Sequence, residues 1–431
     1  MSEALPRRVT AQIAVVGAGP AGIAAAVRAA EAGARVVVLD EAPRPGGQIW
    51  RHTSRETLPP GARRWIERLD ACGARVLSGA TVVDAAGTRL LAQHRGEPLV
   101  VSAERVILAT GARELFLPFP GWTLPGVVGV GGAQALLKAG TPVAGKRVMV
   151  AGSGPLLLPV AAALAGAGAR VAVVAEQASP AAVRRFAAGL WRMPGKLWQA
   201  ARYRAGFPRA RYRRGAWVMR ADGDATVREA TLTDGRRTWT EPCDLLAVGF
   251  GLTPATELPR LLGCRIEGAR VQVDAYQHTS VSGILCAGEP TGIAGVEAAV
   301  LEGQIAACAA MGRAAEAAPF LAARDRWRRF AERLDAAFAL RDELRTLANE
   351  RTIVCRCEDV PLGRIDPGWG ARAAKLYTRA GMGPCQGRIC GAALQFLFDW
   401  TPDRVRVPVA PAAVGTLVHA AAADIEPQDD S

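Results

Sequence analysis

Four cysteines near the end of the chain form two close pairs. The first pair is Cys355-Arg-Cys357, and 27 residues separate it from the second, Cys385-Gln-Gly-Arg-Ile-Cys390. Cysteine thiolates in such pairs are ligands of structural metal ions and of iron–sulfur clusters. The quartet therefore predicts a metal centre in this part of the chain.

Three kinds of site are open to these cysteines: an iron–sulfur cluster, structural zinc and a redox-active dithiol. Zinc usually takes pairs separated by two to four residues, and the first pair is tighter than that. The spacing of the second pair suits a dithiol. The charge pattern favours a [2Fe-2S] cluster, because four thiolates leave a negative site that nearby cations can compensate. These cations are Arg356, Lys375, Arg379 and Arg388.

A nucleotide-binding loop lies at the other end of the chain. Residues 12–17 read as a buried strand that opens into Gly17-Ala-Gly19-Pro-Ala-Gly22. Gly17 permits the tight turn, Gly19 lets a pyrophosphate approach the backbone, and Gly22 lets the following helix pack on the strand.

The chain beyond this loop completes the dinucleotide fingerprint. An Ala-rich helix runs to about Gly33, and a second strand, residues 35–39, ends at Asp40. The helix N-terminus is expected to face the phosphates, and Asp40 is placed to accept hydrogen bonds from ribose hydroxyls.

A second copy of this unit begins at Lys146 and contains Gly152-Ser-Gly154. In both copies a glycine closes the helix sixteen residues after the first loop glycine, at Gly33 and Gly168. This spacing pairs Gly17 with Gly152 and Gly19 with Gly154.

The same alignment pairs Gly22 with Leu157 and Asp40 with Ala175, so two of the four functional positions are lost. Glu176 follows Ala175, but neighbouring strand residues point to opposite faces, so whether it replaces the lost carboxylate is left open. The second fold is therefore expected to be degenerate as an NAD(P) site. A fold kept for packing or subunit contact and a site for another nucleotide are the alternatives.

Two later segments read as short apolar strands that end in glycine turns. They are Val106-Ile-Leu-Ala-Thr-Gly111 and Gly283-Ile-Leu-Cys-Ala-Gly288-Glu289. A helix from Gly295 to Ala310 is expected after the second strand, with its N-terminus presented to the cofactor.

Together these motifs resemble the two-dinucleotide-binding-domain flavoproteins of the glutathione-reductase-like class. The first loop with Asp40 matches the FAD motif, Ala109-Thr-Gly111 the crossover motif, and Ala287-Gly288-Glu289 the second FAD motif. That family usually has Asp where this chain has Glu289.

Other stretches resemble the alpha subunit of heteromeric amine and imino-acid dehydrogenases, a group with hydroxyproline and proline dehydrogenases, opine oxidases and hydrogen cyanide synthase. These stretches are Asp40-Glu-Ala-Pro-Arg-Pro-Gly-Gly-Gln48, Leu117-Pro-Phe-Pro-Gly-Trp-Thr-Leu-Pro-Gly126, Gly152-Ser-Gly-Pro-Leu-Leu-Leu158, Cys355-Arg-Cys-Glu-Asp-Val360 and Gly381-Met-Gly-Pro-Cys-Gln-Gly-Arg-Ile-Cys390.

The resemblance implies an α/β protein with two Rossmann-like domains and a small helical C-terminal module similar to bacterioferritin-associated ferredoxin. The implied domains are a discontinuous FAD domain (1–120 and 265–315), an NAD(P)-binding-like domain (121–264), a helical linker (316–350), a [2Fe-2S] domain (351–405) and a C-terminal tail (406–431). The implied FAD contacts are Gly17, Ala18, Gly19, Pro20, Ala21, Gly22, Asp40, Glu41, Gly47, Gln48, Thr110, Gly111, Gly288 and Glu289, and the cluster ligands are Cys355, Cys357, Cys385 and Cys390.

The resemblance also implies a division of labour between subunits. A partner flavoprotein oxidises the amine, and this chain relays the electrons through FAD and the cluster to a small acceptor or a quinone. The alternatives are a self-sufficient NAD(P)H-dependent flavoprotein reductase and a non-catalytic flavoprotein that senses iron or oxidants. No catalytic acid or base can be named, and of four histidines only His278 is placed to approach a flavin.

Composition bounds the remaining expectations. The chain has 431 residues, nine cysteines, a net charge of +13 and no signal-like N-terminus, which predicts a multidomain cytoplasmic protein. Ten of the cations lie in residues 184–214, which contain no acid. Without a recognition motif, nucleic-acid binding is not expected, and a subunit interface, an anionic partner or the inner membrane face remain for this stretch. Residues 156–175 are expected to be a helix and a strand, not a transmembrane segment.

Overall fold

The first half of the chain folds as the motifs predict, with a glycine loop between a buried strand and a helix. The computed structural model describes residues 6–401 and 405–419, apart from the side chain of residue 192. They form two compact units, unit 1 from Met1–Arg113, Thr253–Ala331 and Arg404–Ser431, and unit 2 from Glu114–Leu252 and Glu332–Asp403.

Unit 1 is built on one mixed sheet covered by helices. With elements numbered in chain order, its helices and strands are β1 (Arg7–Val16), α1 (Pro20–Glu31), β2 (Val36–Asp40), α2 (Pro60–Ala71), β3 (Arg75–Ser78), β4 (Ala80–Ala86), β5 (Arg89–His94), β6 (Glu97–Leu108), α7 (Glu257–Leu261), β17 (Ile266–Glu267), β18 (Arg270–Val271), β19 (Ile284–Cys286), α8 (Gly295–Ala310) and α12 (Val414–Val418). Strands β7 (Ala112–Glu114) and β16 (Leu252–Pro254) lie where the chain passes between the units, and α9 (Ala318–Ala337) begins in unit 1 and ends in unit 2.

The order of strands in this sheet is β3-β2-β1-β6-β5-β4, and β19 also pairs with β6. Strands β3, β2, β1, β6 and β19 are parallel, and β5 and β4 continue the sheet antiparallel. Every residue of β2 is buried, as expected for a parallel strand with both faces covered. The carboxyl ends of β1, β2 and β19 therefore lie at one edge, where such sheets bind ligands.

Unit 2 repeats the parallel arrangement on a smaller scale. Its helices and strands are β8 (Val127–Gly129), α3 (Val130–Lys138), β9 (Arg147–Gly152), α4 (Leu157–Gly166), β10 (Arg170–Glu176), α5 (Pro180–Gly189), α6 (Pro194–Ala205), β11 (Arg211–Arg214), β12 (Trp217–Asp222), β13 (Glu229–Thr233), β14 (Thr238–Pro242), β15 (Leu245–Gly249), β20 (Ile353–Cys355), β21 (Val360–Pro361), α10 (Ala371–Thr378) and α11 (Cys390–Phe398). The parallel sheet has the order β11-β10-β9-β15-β8, beside a three-stranded antiparallel sheet β12-β13-β14. The predicted α/β class with two Rossmann-like sheets is confirmed.

The cysteine segment has a small core of its own within unit 2. Val354, Val360, Ile365, Leu394 and Trp400 are among the apolar side chains that pack there around the β20–β21 hairpin. The boundaries of the five predicted domains stay a prediction.

The described part of the predicted C-terminal tail is folded against unit 1. The Val409 N–H donates to the carbonyl of Val83 at 2.8 Å, and the side chain of Ala410 packs with Val83, Leu91 and Val100. Residues 420–431 of the predicted tail lie outside the described residues. The apolar stretch at 156–175 is helix α4 followed by most of β10, as expected, and no described helix is long and apolar enough to cross a membrane.

Candidate functional site

The first glycine loop packs tightly on one side and is open on the other. Gly17 has φ +102°, and a Cβ there would lie 2.3 Å from the carbonyl oxygen of Ala109. A Cβ on Gly22 would lie 1.8 Å from the carbonyl oxygen of Gly17, whereas one on Gly19 would meet nothing within 4 Å. No side chain in the described part of the chain caps the N-terminus of α1, so its N–H groups are available to a phosphate.

Asp40 supports this loop directly. Its carboxylate accepts hydrogen bonds from the backbone N–H groups of Ala18 and, at 2.7 Å, Ala42. Burial raises the pKa of Asp40, and the two N–H donors oppose that rise. Glu41 is the exposed carboxylate at the same strand end. The structure thus assigns Asp40 to the loop and leaves Glu41 facing solvent.

The segment after β2 folds over the glycine loop. The Gly46 N–H donates to the carbonyl of Ala18 at 2.7 Å, and a Cβ on Gly47 would lie 2.9 Å from Cα of Gly19. The side chain of Gln48 is exposed and accepts a hydrogen bond from Arg51 at 2.8 Å. The predicted residues Gly47 and Gln48 are therefore close to the loop in space as well as in the fingerprint.

The crossover motif fixes the returning chain. The Thr110 hydroxyl donates to the carbonyl of Ala255 at 2.7 Å, and the Ala255 N–H donates to the carbonyl of Gly111 at 3.0 Å. Both residues of the motif thus hold residue 255 beside the carboxyl end of β6.

The second FAD motif contains a carboxylate without a protein partner. Gly288 has φ +81°, and a Cβ there would lie 2.8 Å from Cβ of Ala21 in α1. Desolvation alone raises the pKa of Glu289, and no hydrogen bond from any described residue reaches its carboxylate. A desolvated carboxylate beside the glycine loop is available to the hydroxyl groups of a ligand.

A buried ion pair behind this motif was not predicted from the sequence. Glu302 of α8 is 2% exposed and accepts from the Gly288 N–H and the Thr291 hydroxyl, both at 2.9 Å. Its other oxygen accepts from Nε of Arg328 at 2.8 Å. Glu302 therefore links the backbone of Gly288 to Arg328 of α9 by hydrogen bonds.

The same network continues to Gln277. Its side-chain oxygen accepts from Arg324 at 3.2 Å and from Arg328 at 3.1 Å, and its amide donates to the carbonyl of Cys286 at 2.9 Å. The sequence signal was Arg324 and Arg328, which stand four residues apart and so share one helix face. Their partners, Gln277 and Glu302, lie 26 or more residues away in the sequence, so no local pattern indicates the pairing.

The second glycine loop corrects one prediction. The pairing of β10 with β9 shifts by one residue between Val171 and Val173, a β-bulge that the constant spacing from Gly168 does not reveal. Because of this extra residue, Glu176, not Ala175, takes the place of Asp40. Its carboxylate accepts from the Gly154 and Ala178 N–H groups, each at 2.8 Å. The expectation that Glu176 points to the opposite face is therefore wrong.

The helix after the second loop begins later along the chain than the helix after the first. Helix α1 begins three residues after Gly17, whereas α4 begins five residues after Gly152, at the buried Leu157. The expectation that Leu157 pushes this helix away from its strand stays a prediction.

The chain itself covers the second loop. The Ser153 hydroxyl donates to the carbonyl of Phe338 at 2.7 Å. The buried Gln177 amide donates to the Ser153 hydroxyl at 2.9 Å and to the carbonyl of Ala339 at 3.0 Å. The ring of Phe338 also packs edge-on against Phe186, 5.3 Å between centroids. Residues 338–339, which we call the covering segment, thus lie on the carboxyl end of the sheet.

The structure brings the four cysteines together in pairs. Cys357 lies beside Cys385, and Cys355 lies beside Cys390. Burial, and then the neighbouring Cys355, raises the pKa of Cys390. Across the described ranges, no group of three or more metal-binding side chains has the geometry of a preformed metal site.

Glycines around the second pair turn the backbone toward sulfur. The Gly381 N–H donates to Sγ of Cys355 at 3.5 Å. At Gly383 a Cβ would lie 2.3 Å from Cβ of Cys357, so only glycine fits there. Such N–H donors stabilise thiolates in iron–sulfur sites.

His278 and the five cysteines outside the quartet belong neither to the glycine loops nor to the cysteine pairs. His278 is exposed and pairs with Asp274 at 3.0 Å, so it is a surface residue. The five other cysteines are partly or fully buried, as predicted for packing residues. They are Cys72, Cys243, Cys264, Cys286 and Cys308.

Known proteins share this fold and sequence. Residues 11–303 match the pyridine nucleotide-disulphide oxidoreductase family. One subunit of the opine oxidase of Rhizobium meliloti is 35% identical over 94% of this chain and 97% of its own length. Hydrogen cyanide synthase subunit HcnB of Pseudomonas aeruginosa is 34% identical over 87% of this chain and 90% of its own.

A solved structure supports the same fold along most of the chain. L-proline dehydrogenase from P. horikoshii aligns with a TM-score of 0.69 at 20% identity, covering 96% of this chain and 80% of that one. The chain is therefore a member of the pyridine nucleotide-disulphide oxidoreductase family, within the group of oxidoreductase subunits that includes HcnB and its opine oxidase counterpart.

Proposed function

We propose that this chain is the FAD- and [2Fe-2S]-containing electron-transfer subunit of a heteromeric amino- or imino-acid dehydrogenase. Its relatives are named as subunits of opine oxidase and hydrogen cyanide synthase, which supports a partner subunit that oxidises the substrate. In this proposal two electrons leave the CH–NH group on the partner, pass to this chain, and leave to a small acceptor or a quinone.

The residues of unit 1 fit FAD. The open space at Gly19 and the uncapped N-terminus of α1 suit a pyrophosphate, and the exposed Glu41 suits a ribose. The desolvated Glu289 suits the hydroxyl groups of the ribityl chain. When bound, the flavin supplies an acceptor for electron pairs.

The cysteine quartet fits a [2Fe-2S] cluster. The four thiols lie in two neighbouring pairs, and the Gly381 N–H donates to Sγ of Cys355. Glu358, the residue after Cys357, accepts from Nε of Arg379 at 2.7 Å. Cys355, Cys357, Cys385 and Cys390 would hold the cluster, which supplies one-electron transfer when bound.

The contacts of the covering segment are the observation that favours a partner subunit over NAD(P)H as the source of the electrons. At the second glycine loop the Ser153 hydroxyl and the Gln177 amide donate to the carbonyls of Phe338 and Ala339, so the chain's own backbone takes two side-chain donors that a nicotinamide nucleotide would otherwise meet. Electrons therefore enter from a partner subunit, not from NAD(P)H.

One anaerobic experiment tests this function. The isolated chain, loaded with both cofactors, is mixed with NADH, with NADPH, and with a panel of amino and imino acids while its flavin absorption is followed. We expect no bleaching by any of them, and bleaching by one amine once the co-expressed partner subunit is added.

Rapid bleaching by NADH or NADPH alone would replace the relay with a self-sufficient reductase. Bound cofactors that no partner and no substrate reduces would favour a sensor.

A further inference from the structure

Helices α5 and α6 form a surface of unit 2 that carries exposed tryptophans. None of the described residues within either helix is buried. Trp191, between the helices, is 70% exposed, Trp198 is 66% exposed, and Leu197 is 46% exposed. Exposed apolar side chains of this size, grouped within eight residues, indicate an interaction site.

Cations surround these apolar side chains. Arg184 and Arg185 of α5 and Lys196 and Arg202 of α6 belong to the run of ten cations without an acid, and all but Lys196 are exposed. The guanidinium of Arg202 lies 5.7 Å from the centroid of the Trp198 ring. We call residues 184–202 the α5–α6 surface.

Charge and side-chain type together indicate which partner this surface fits. Tryptophan rings beside Lys and Arg are typical of helices that lie in the headgroup layer of a membrane. Long cationic side chains can reach the phosphates while the rings enter the acyl boundary. A bilayer with anionic lipids presents the uniform negative charge that an acid-free surface matches, without needing specific counter-residues.

We propose that the α5–α6 surface binds the surface of an anionic phospholipid bilayer. The chain then lies on the membrane without crossing it, held by Trp191 and Trp198 and by the surrounding cations. Binding does not depend on either cofactor or on the proposed relay. In the relay, it would bring the chain to lipid-dissolved acceptors.

Vesicle co-sedimentation of the full chain tests the proposal. Vesicles of phosphatidylcholine alone are compared with vesicles that also contain phosphatidylglycerol. We expect binding to the anionic vesicles only, weakening as salt is raised. The double substitution Arg184→Glu and Arg185→Glu should weaken binding by at least about thirtyfold, since each cation near the surface contributes about 1 kcal/mol and the new carboxylates add repulsion.

Two further variants make the test specific. Trp191→Ala with Trp198→Ala should weaken binding and abolish quenching of tryptophan fluorescence by brominated lipids. Arg236→Glu with Arg237→Glu changes the net charge equally in the exposed turn between β13 and β14 and should bind as wild type. Urea unfolding reports the folding of every variant.

Three results would overturn the proposal: no binding to anionic vesicles at low salt, equal loss of binding in the Arg236/Arg237 control, or binding of the α5–α6 surface to the partner subunit instead of vesicles. All three leave the anaerobic flavin experiment unaffected, so failure here is distinguishable from failure of the relay.

Discussion

The Ser153 hydroxyl lies 2.7 Å from the carbonyl oxygen of Phe338, which is 185 residues further along the chain. This contact joins the second glycine loop to the segment that precedes the cysteine module. In a family defined by nucleotide folds, the loop that could bind a second nucleotide is thereby part of the protein's own packing.

Gln177 should be important for the stability of unit 2. Its buried amide donates to the Ser153 hydroxyl and to the Phe338 and Ala339 carbonyls. Gln177→Leu should lower the free energy of unfolding by about 1–3 kcal/mol, because the hydrogen bonds of the buried amide are lost and each is worth about 1 kcal/mol. Urea unfolding measures the loss. Gln199→Leu on the exposed face of α6 is the control and should change the free energy of unfolding by less than about 0.5 kcal/mol.

Glu176 should make stability depend on pH in an unusual direction. Burial raises its pKa from 4.5 to about 7, so between these values the folded chain holds a proton that the unfolded chain has lost. Stability from this group is complete below pH 4.5 and falls as pH rises through 7.

Relative to Glu176→Gln, which does not titrate there, wild type should lose about 2–3 kcal/mol over this window. Urea unfolding at several pH values measures the difference, and a constant difference would contradict the raised pKa.

Gly19→Ala should separate folding from FAD binding. A methyl group there meets no protein atom within 4 Å, so the fold should persist. It would project into the space assigned to the pyrophosphate, and FAD affinity should fall by at least tenfold, measured by flavin fluorescence. Gly61→Ala in α2, equally unobstructed, should retain wild-type affinity. Normal FAD binding by Gly19→Ala would argue against a pyrophosphate at this loop.

Arg328 should support the FAD site from behind. Arg328→Met leaves Glu302 buried without its counterion, which should cost about 2–3 kcal/mol and release flavin at lower temperature. Thermal unfolding with flavin fluorescence measures both effects. Arg329→Met on the exposed side of α9 is the matched control. Similar behaviour of the two variants would show that the ion pair is not needed.

The cysteine quartet predicts a spectroscopic outcome. Cys355→Ser should abolish the visible absorption and the reduced-state electron paramagnetic resonance signal of a [2Fe-2S] centre and leave FAD bound. Cys243→Ser, at a buried position outside the quartet, should retain both signals. Zinc in the purified protein, without a signal in wild type, would contradict the cluster.

The sequence was informative where function requires local geometry. Gly17, Gly22 and Gly288 each lie where a side chain would collide with backbone or a neighbouring helix, and fixed spacing reveals such positions. Glu176 was misplaced because a bulge inside β10 changes the register without changing the local pattern. Two contacts were missed because their partners are distant in the chain. Arg328 lies 26 residues from Glu302, and Phe338 lies 185 residues from Ser153, and a single sequence does not show which distant residues pair.

The Glu302–Arg328 ion pair also sets an order of events during protein synthesis. All the residues predicted to contact FAD have been made by residue 289, yet the buried Glu302 gains its arginine only when residue 328 has been added. A nascent chain that has just left α8 holds the glycine loop beside an uncompensated buried charge. Chains truncated between 311 and 327 are therefore expected to bind flavin less tightly than the full chain.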